Sequence, residues 1–256
     1  MSYKYDKYPI ESKMEYQQTK AIVLHKFPYS ESSMIVHLYT EKFGRISTIV
    51  KGMNGSKGRG KIALLQQLNL LDLEIQYREK RNMQVIREMR LSQYYQSIAT
   101  DPVKQSIAMF LAEILYRSLR EEEGNPVLYA FIEHSLLFLD ETSLSYSNFH
   151  LVFLFLHTKF LGIFPQDSDA DSDCYFDLME GVYTSLKPSH PHYLYPPMAK
   201  LFRKCAQLTF STMDSLKINR IQRNQLIQAL LDYYEIHLDN FGQIKSFEVL
   251  NSLYES

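Results

Sequence analysis

The hydrophobic period of this chain changes once, near residue 95, and that change limits the folds open to it. Before it, apolar residues recur every second position. Leu71, Leu73, Ile75 and Tyr77 alternate with Asp72, Glu74, Gln76 and Arg78, the pattern of a half-buried strand. Ala21–Lys26, Met34–Thr40, Arg45–Lys51 and Met83–Glu88 read as further strands. Pro28 and Ser30–Ser33 are expected to end the first, Glu41–Gly44 is a turn, and Glu79–Asn82 turns the last hairpin. Five strands in about 70 residues predict a small closed or nearly closed barrel, which hides its edges.

Beyond residue 95 the spacing is helical. Asp101-Pro102 and Asn125-Pro126 are cap-plus-proline starts. Val103, Ile107, Phe110, Ile114 and Leu115 mark the first helix, Gly124 stops it, and the second runs to about Asp140. These two are expected to bury their stripes on each other without help from the barrel. Phe149–Leu161 is apolar nearly all round and predicts a buried central helix, with His150 and His157 as core histidines. A long amphipathic helix starts near Asn219. The expected class is therefore α+β: residues 1–18 as a lead-in, a five-stranded barrel over 19–95, and an all-α domain over 96–256. The latter carries an irregular loop at about 165–195.

Charge follows the same division. Residues 1–95 carry 16 Lys and Arg against 9 Asp and Glu, a net +7; residues 96–256 carry 12 against 20, a net −8. The barrel is thus the natural partner for a polyanion. The longest apolar run, Leu151–Leu156, is six residues, far short of a membrane span. The first twenty residues lack an apolar leader core, so a cytoplasmic chain is expected.

The densest candidate site is Gly52–Lys61, where four glycines are interleaved with Lys57, Arg59 and Lys61. It is expected to be a mobile basic arm along a nucleic-acid backbone, with Lys51 beside it. Lys42 and Arg45 flank the second and third strands, and Arg78, Lys80 and Arg81 cluster on the last hairpin. Phe43 and Tyr77 lie among these cations, placed either to stack on bases or to pack in the core.

Gly55–Ile62 also follows the phosphate-loop pattern up to its last position, and Leu136–Glu141 imitates a magnesium-holding strand. A P-loop-like NTPase is therefore an alternative. Against it, Ile62 lacks the hydroxyl that would hold Mg²⁺, and Asp140 falls at a helix end. Asp167, Asp169, Asp171 and Asp173 imitate a calcium loop, but Ser172 and Leu178 stand where that motif needs Gly and Glu. Cys174, His190 and His192 could hold a metal with a carboxylate, yet their spacing fits no standard zinc site. No catalytic triad or carboxylate pair stands out, so no enzyme activity and no cofactor are expected.

Thr19–Leu24, Ser30-Glu31-Ser32, Ile35-Val36, Thr40–Ile46, Lys51-Gly52, Leu65-Gln66 and Leu70–Leu73 together resemble the N-terminal domain of the bacterial RecO family of DNA repair and recombination mediators. Leu231–Leu238, Ile244-Lys245-Ser246 and Leu250 resemble that family's last helix. The resemblance implies an oligonucleotide/oligosaccharide-binding (OB) barrel followed by an α-helical domain. It implies binding of single- and double-stranded DNA, annealing of complementary strands, and loading of recombinase onto DNA coated by single-strand-binding protein (SSB). RecR and the acidic, apolar C-terminal tail of SSB are the implied partners, and the cytoplasmic nucleoid the implied location. An RNA-binding OB protein is the further alternative. Many relatives carry two C-x-x-C pairs after a segment like Leu161–Pro165; here only Cys174 follows before Cys205. The zinc site is expected to be lost, with packing around Tyr175, Phe176, Leu178 and Tyr183 holding the loop instead.

Overall fold

The computed structural model describes residues 16–168 and 174–253. Its first unit is an antiparallel sheet of β1 (Gln17–Ser30), β2 (Ser33–Thr40), β3 (Gly44–Lys51), β4 (Leu70–Gln76) and β5 (Val85–Leu91), in the order β3-β2-β1-β4-β5. Helix α1 (Gly55–Leu64) connects β3 to β4. The layout is OB-like, but the sheet is not closed by a ladder. Its two edge strands approach at one bridge, Thr48 to Gln84, where the Gln84 N–H donates to the Ser47 carbonyl at 2.7 Å.

β1 begins at Gln17, inside the stretch read as a lead-in, and runs through Pro28. Pro28 lies on the exposed end of the strand beside a register irregularity. A bulged, exposed end tolerates a residue without an N–H, so proline did not stop the strand. Residues 169–173, with Asp169, Asp171 and Asp173 of the calcium-like run, lie outside the described residues.

The second unit comprises α2 (Pro102–Ser118), α3 (Pro126–Glu141), α4 (Phe149–Phe160), α5 (Pro196–Ala206), α6 (Arg220–His237) and α7 (Ser246–Leu253). The Asp101 and Asn125 side chains cap α2 and α3, and Asn219 and Gln222 form a reciprocal capping box on α6. This unit is not purely helical. β6 (Tyr175–Asp177), β7 (Val182–Thr184) and β8 (Tyr193–Leu194) form a small sheet in the order β7-β6-β8. Phe176, Leu178 and Tyr183 are buried there, with the Phe176 ring 4.7 Å from those of Tyr183 and Phe202. Tyr175 lies outside that packing, half-buried and edge-on to Tyr193. Strands this short carry little periodicity, so the sequence showed no sign of them.

The two units share a core. Ala21, Ile22, Val23 and Leu24 are all fully buried. Ala21 and Val23 face the barrel interior; Ile22 and Leu24, with Tyr39, Leu68 and Leu70, join the cluster built by α2, α3, α4 and α6. The expectation that α2 and α3 need only each other therefore does not hold, because α2 also packs against β1.

Polar contacts fix the same junction. The Asp140 carboxylate accepts N–H bonds from Gln96, Ser97 and Ile98, each at 2.8 Å. The buried Lys104 ammonium donates to the Ser97 hydroxyl and to the Asp140 and Thr142 carbonyls. Burial works to raise the Asp140 pKa, but the three N–H donors outweigh it and hold the carboxyl below its usual range. Lys20 pairs with Glu133 at 3.0 Å. The β2–β3 turn and the 121–124 loop meet backbone to backbone. A Cβ on Gly44 would lie 2.5 Å from the Glu121 carbonyl, and one on Gly124 would lie 2.2 Å from that of Lys42.

Two predictions follow from these cores. Leu24→Ala should destabilise the protein by about 2–5 kcal/mol, whereas Phe27→Ala, on the exposed end of the same strand, should change it by less than about 0.5 kcal/mol. Urea denaturation of both variants checks this.

The second concerns the histidines on α4. His150 and His157 are fully buried, and burial lowers both to about 3. The unfolded chain takes up these protons near pH 6.5. Stability present above that pH should therefore be lost as pH falls from 6.5 toward 3, at up to about 1.4 kcal/mol per pH unit per histidine. His157→Gln should flatten that loss; urea midpoints from pH 7 to 4 that fall equally steeply in both proteins would refute the assignment.

Candidate nucleic-acid interface

The glycine-rich segment is where expectation and structure differ most. It is not a mobile arm: Gly55–Leu64 is the helix α1. Gly55 turns the chain into it at φ +71°. Gly58 permits its close seat, since a Cβ there would lie 2.1 Å from the Met53 carbonyl. Leu65, just beyond, is fully buried, and Ile62 and Leu64 pack against the barrel core. Apolar anchors at the C-terminal end thus overcame the helix-weakening glycines.

The same geometry bears on the phosphate-loop pattern. Its glycines lie within the helix instead of forming a loop before one, and the Lys61 ammonium donates to the Lys51 carbonyl at 2.7 Å. Asp140, the would-be magnesium ligand, is committed to three backbone N–H groups.

The candidate cations fall into four places. Lys51, Lys61 and Arg81 border a hollow of about 940 Å³ along the open seam of the sheet, between β3, α1 and β5. Ile49, Val50, Leu64, Met83, Val85, Ile86 and Met89 supply its apolar lining, and Arg87 adds a fourth cation. Arg78 and Lys80 are exposed on the β4–β5 hairpin, and Arg59 is exposed on α1. Lys57 also lies on α1, with its side chain outside the described residues. Lys42 is separate: it shares a hollow with Glu41, Asp72, Glu74 and Glu88, which offset its charge.

Arg45 has a structural task. Its Nη1 donates to the Tyr116 and Leu119 carbonyls, both at 2.9 Å, and its guanidinium lies 4.6 Å from the Tyr116 ring centre. It ties β3 to the end of α2. Beside it, burial and then the Arg45 charge lower His37 to about 4, so this imidazole is neutral near pH 7. Phe43 and Tyr77 stack on each other at 4.0 Å between ring centres.

Sequence reasoning missed Gln84. This buried side chain accepts from the Arg78 N–H at 2.9 Å and donates to the Arg78 and Arg81 carbonyls. One glutamine therefore shapes the turn that presents Arg78, Lys80 and Arg81, and its backbone makes the seam bridge. A lone glutamine in a hairpin carries no pattern that would single it out.

No three His, Cys, Asp or Glu side chains come together as metal ligands among the described residues. His190 meets Asp177 at 3.1 Å, while Cys174 and Cys205 are buried free thiols. Burial pushes the Cys205 thiol up to about 12. No helix among the described residues is long and apolar enough to cross a membrane.

Two family models match the chain: one described as Recombination protein O N terminal, over residues 14–95, and one described as Recombination protein O C terminal, over residues 99–246. A Phocaeicola vulgatus protein called DNA repair protein RecO is 39% identical over 238 residues, covering 93% of this chain and 99% of that protein. Bacteroides fragilis and Christiangramia forsetii proteins of the same name are 38% and 33% identical, covering 93% and 92% of this chain and 99% and 98% of theirs.

The glycines of α1 give a paired prediction. Gly60 has open space around its Cβ position, so Gly60→Ala should raise stability by up to about 1 kcal/mol through helix propensity. Gly58→Ala should lower it by about 1–3 kcal/mol through the clash with Met53. Thermal melting of the two variants distinguishes this seated helix from a free arm, in which both changes would be neutral.

Proposed function

Because the chain belongs to the RecO family of DNA repair and recombination proteins, we propose that it binds single- and double-stranded DNA, anneals complementary strands, and acts with RecR to load recombinase onto SSB-coated DNA. The observation that carries this reading is the seam hollow. Lys51, Lys61, Arg81 and Arg87 border apolar walls in a groove left between two edge strands. Cations there neutralise phosphates, the walls take up base or sugar faces, and neither demands a particular sequence. Annealing needs this combination: phosphate repulsion is screened while base edges stay free to pair. No covalent step is involved, so the protein is read as a mediator in the cytoplasmic nucleoid and not as an enzyme.

In this reading the barrel of 19–95 is the DNA-binding domain, and the helices of 96–256 carry the protein contacts. The acidic, apolar SSB tail suits a hollow of about 400 Å³ beside α2 and α7, where Met109 and Val249 offer apolar surface and Arg117 and Lys245 offer charge. Seating of the glycine segment as a helix and commitment of Asp140 to backbone N–H groups weigh against the NTPase alternative. An RNA-binding role differs in preferring RNA over DNA of the same sequence.

Annealing of complementary strands, bare and SSB-coated, should accelerate when the protein is added. Replacing Lys51, Lys57, Arg59 and Lys61 by Ala should leave melting nearly unchanged, as surface substitutions do. It should weaken binding alike for unrelated sequences and lower the slope of log K against log salt by about 0.7 per lost contact. No annealing at any salt concentration, or tighter binding to matched RNA, would overturn the reading.

A further inference from the structure

The helical unit is acidic overall, yet two of its arginines turn toward the barrel. Arg117, in the last turn of α2, and Arg120, just beyond it, line a cleft of about 420 Å³ with Arg45 and Arg81. Tyr77, Tyr116, Ser47 and Gln84 lie between them. The carboxylates on the cleft are Glu79 and Glu122, so four guanidinium groups face two negative charges. None of the four arginines makes an ion pair among the described residues.

Their positions are set by neutral groups. Arg45 donates to two carbonyls at the end of α2, and Arg120 donates to the Arg117 and Asn240 carbonyls. The Arg117 Nε is buried without a hydrogen-bond partner. Buried donors are rarely left in that state, and guanidinium groups held in place suit the paired oxygens of a phosphodiester.

The cleft also continues the seam hollow, because Arg81 and Gln84 line both. We infer that the cleft is a second phosphate-binding stretch for the same DNA strand, which passes from the seam over Arg81 into the junction between the two units. The inference rests on the DNA-binding reading above and adds Arg117 and Arg120 to it. A strand bound in this way bridges barrel and helices, so the nominally acidic unit takes part in DNA binding through its edge.

Three forms of the full chain test it: wild type, Arg117→Ala/Arg120→Ala, and the barrel variant Lys51→Ala/Arg81→Ala. Each is titrated with a single-stranded oligothymidine in the absence of SSB at several salt concentrations, and its melting is recorded. The Arg117/Arg120 variant should keep its melting transition, lose about an order of magnitude in affinity at low salt, and lower the salt slope by about 1.4. Wild-type affinity and slope in that variant, with binding weakened in the barrel variant, would overturn the cleft while leaving the DNA-binding reading in place. If neither variant changes the slope, both fail. Should the double variant unfold, exposed Arg120 decides alone: Arg120→Ala lowers the slope by about 0.7 or leaves it unchanged.

Discussion

Burial of β1 on both faces is the constraint on which the rest of the structure depends. Ala21 and Val23 complete the barrel interior while Ile22 and Leu24 complete the helical core. Each buried aliphatic side chain is worth roughly 1.5–3 kcal/mol of removed apolar surface. One strand therefore couples two units that the chain's charge and periodicity present as separate. With β1 in place, short-range contacts follow: Arg45 reaches the carbonyls closing α2, Gly44 and Gly124 let two turns touch, and Asp140 gathers the N–H groups of residues 96–98. These contacts set how the β4–β5 hairpin stands against the end of α2, and that placement shapes the cleft between the units.

The open seam is the second consequence of the topology. An OB-like sheet leaves β3 and β5 at its edges, and here they meet only at Thr48 and Gln84. Free edges are ordinarily a liability. In this protein α1 covers part of the seam, and Lys51, Lys61, Arg81 and Arg87 border the remainder. Cations at an exposed edge discourage pairing with another strand, and in the proposed function the same charges attract phosphate. Arg45 shows how far a basic residue can be from that role in the same sheet: its charge lies against the Tyr116 ring and carbonyl, where it fastens the units together.

Parts of this arrangement were legible because their signals are local. Alternation in 70–77 marked β4, the Asp101-Pro102 and Asn125-Pro126 pairs marked two helix starts, and the all-round apolar character of 149–160 marked a buried helix. The hairpin cations Arg78, Lys80 and Arg81 were visible as a cluster. The glycine segment was misjudged because its local composition says loop, while Leu65 and the close seat of Gly58 on Met53 make it a helix. Arg117 and Arg120 were hidden by averaging: a net −8 over 161 residues gives no sign of two arginines three positions apart at one helix end.

By itself, then, the sequence determined the α+β order, the basic and acidic halves, most helix starts, and the ordered set of residues shared with the RecO family. Each depends on neighbours within a few positions along the chain, or on composition summed over a domain. Only the tertiary structure decided that β1 serves two cores, that the sheet stays open at Thr48 and Gln84, that Lys42 stands apart among carboxylates, and that Arg45, Arg81, Arg117 and Arg120 share one cleft. Those outcomes pair residues up to 75 positions apart. Their energies come from burial and charge proximity in three dimensions, which no period or count along one dimension contains.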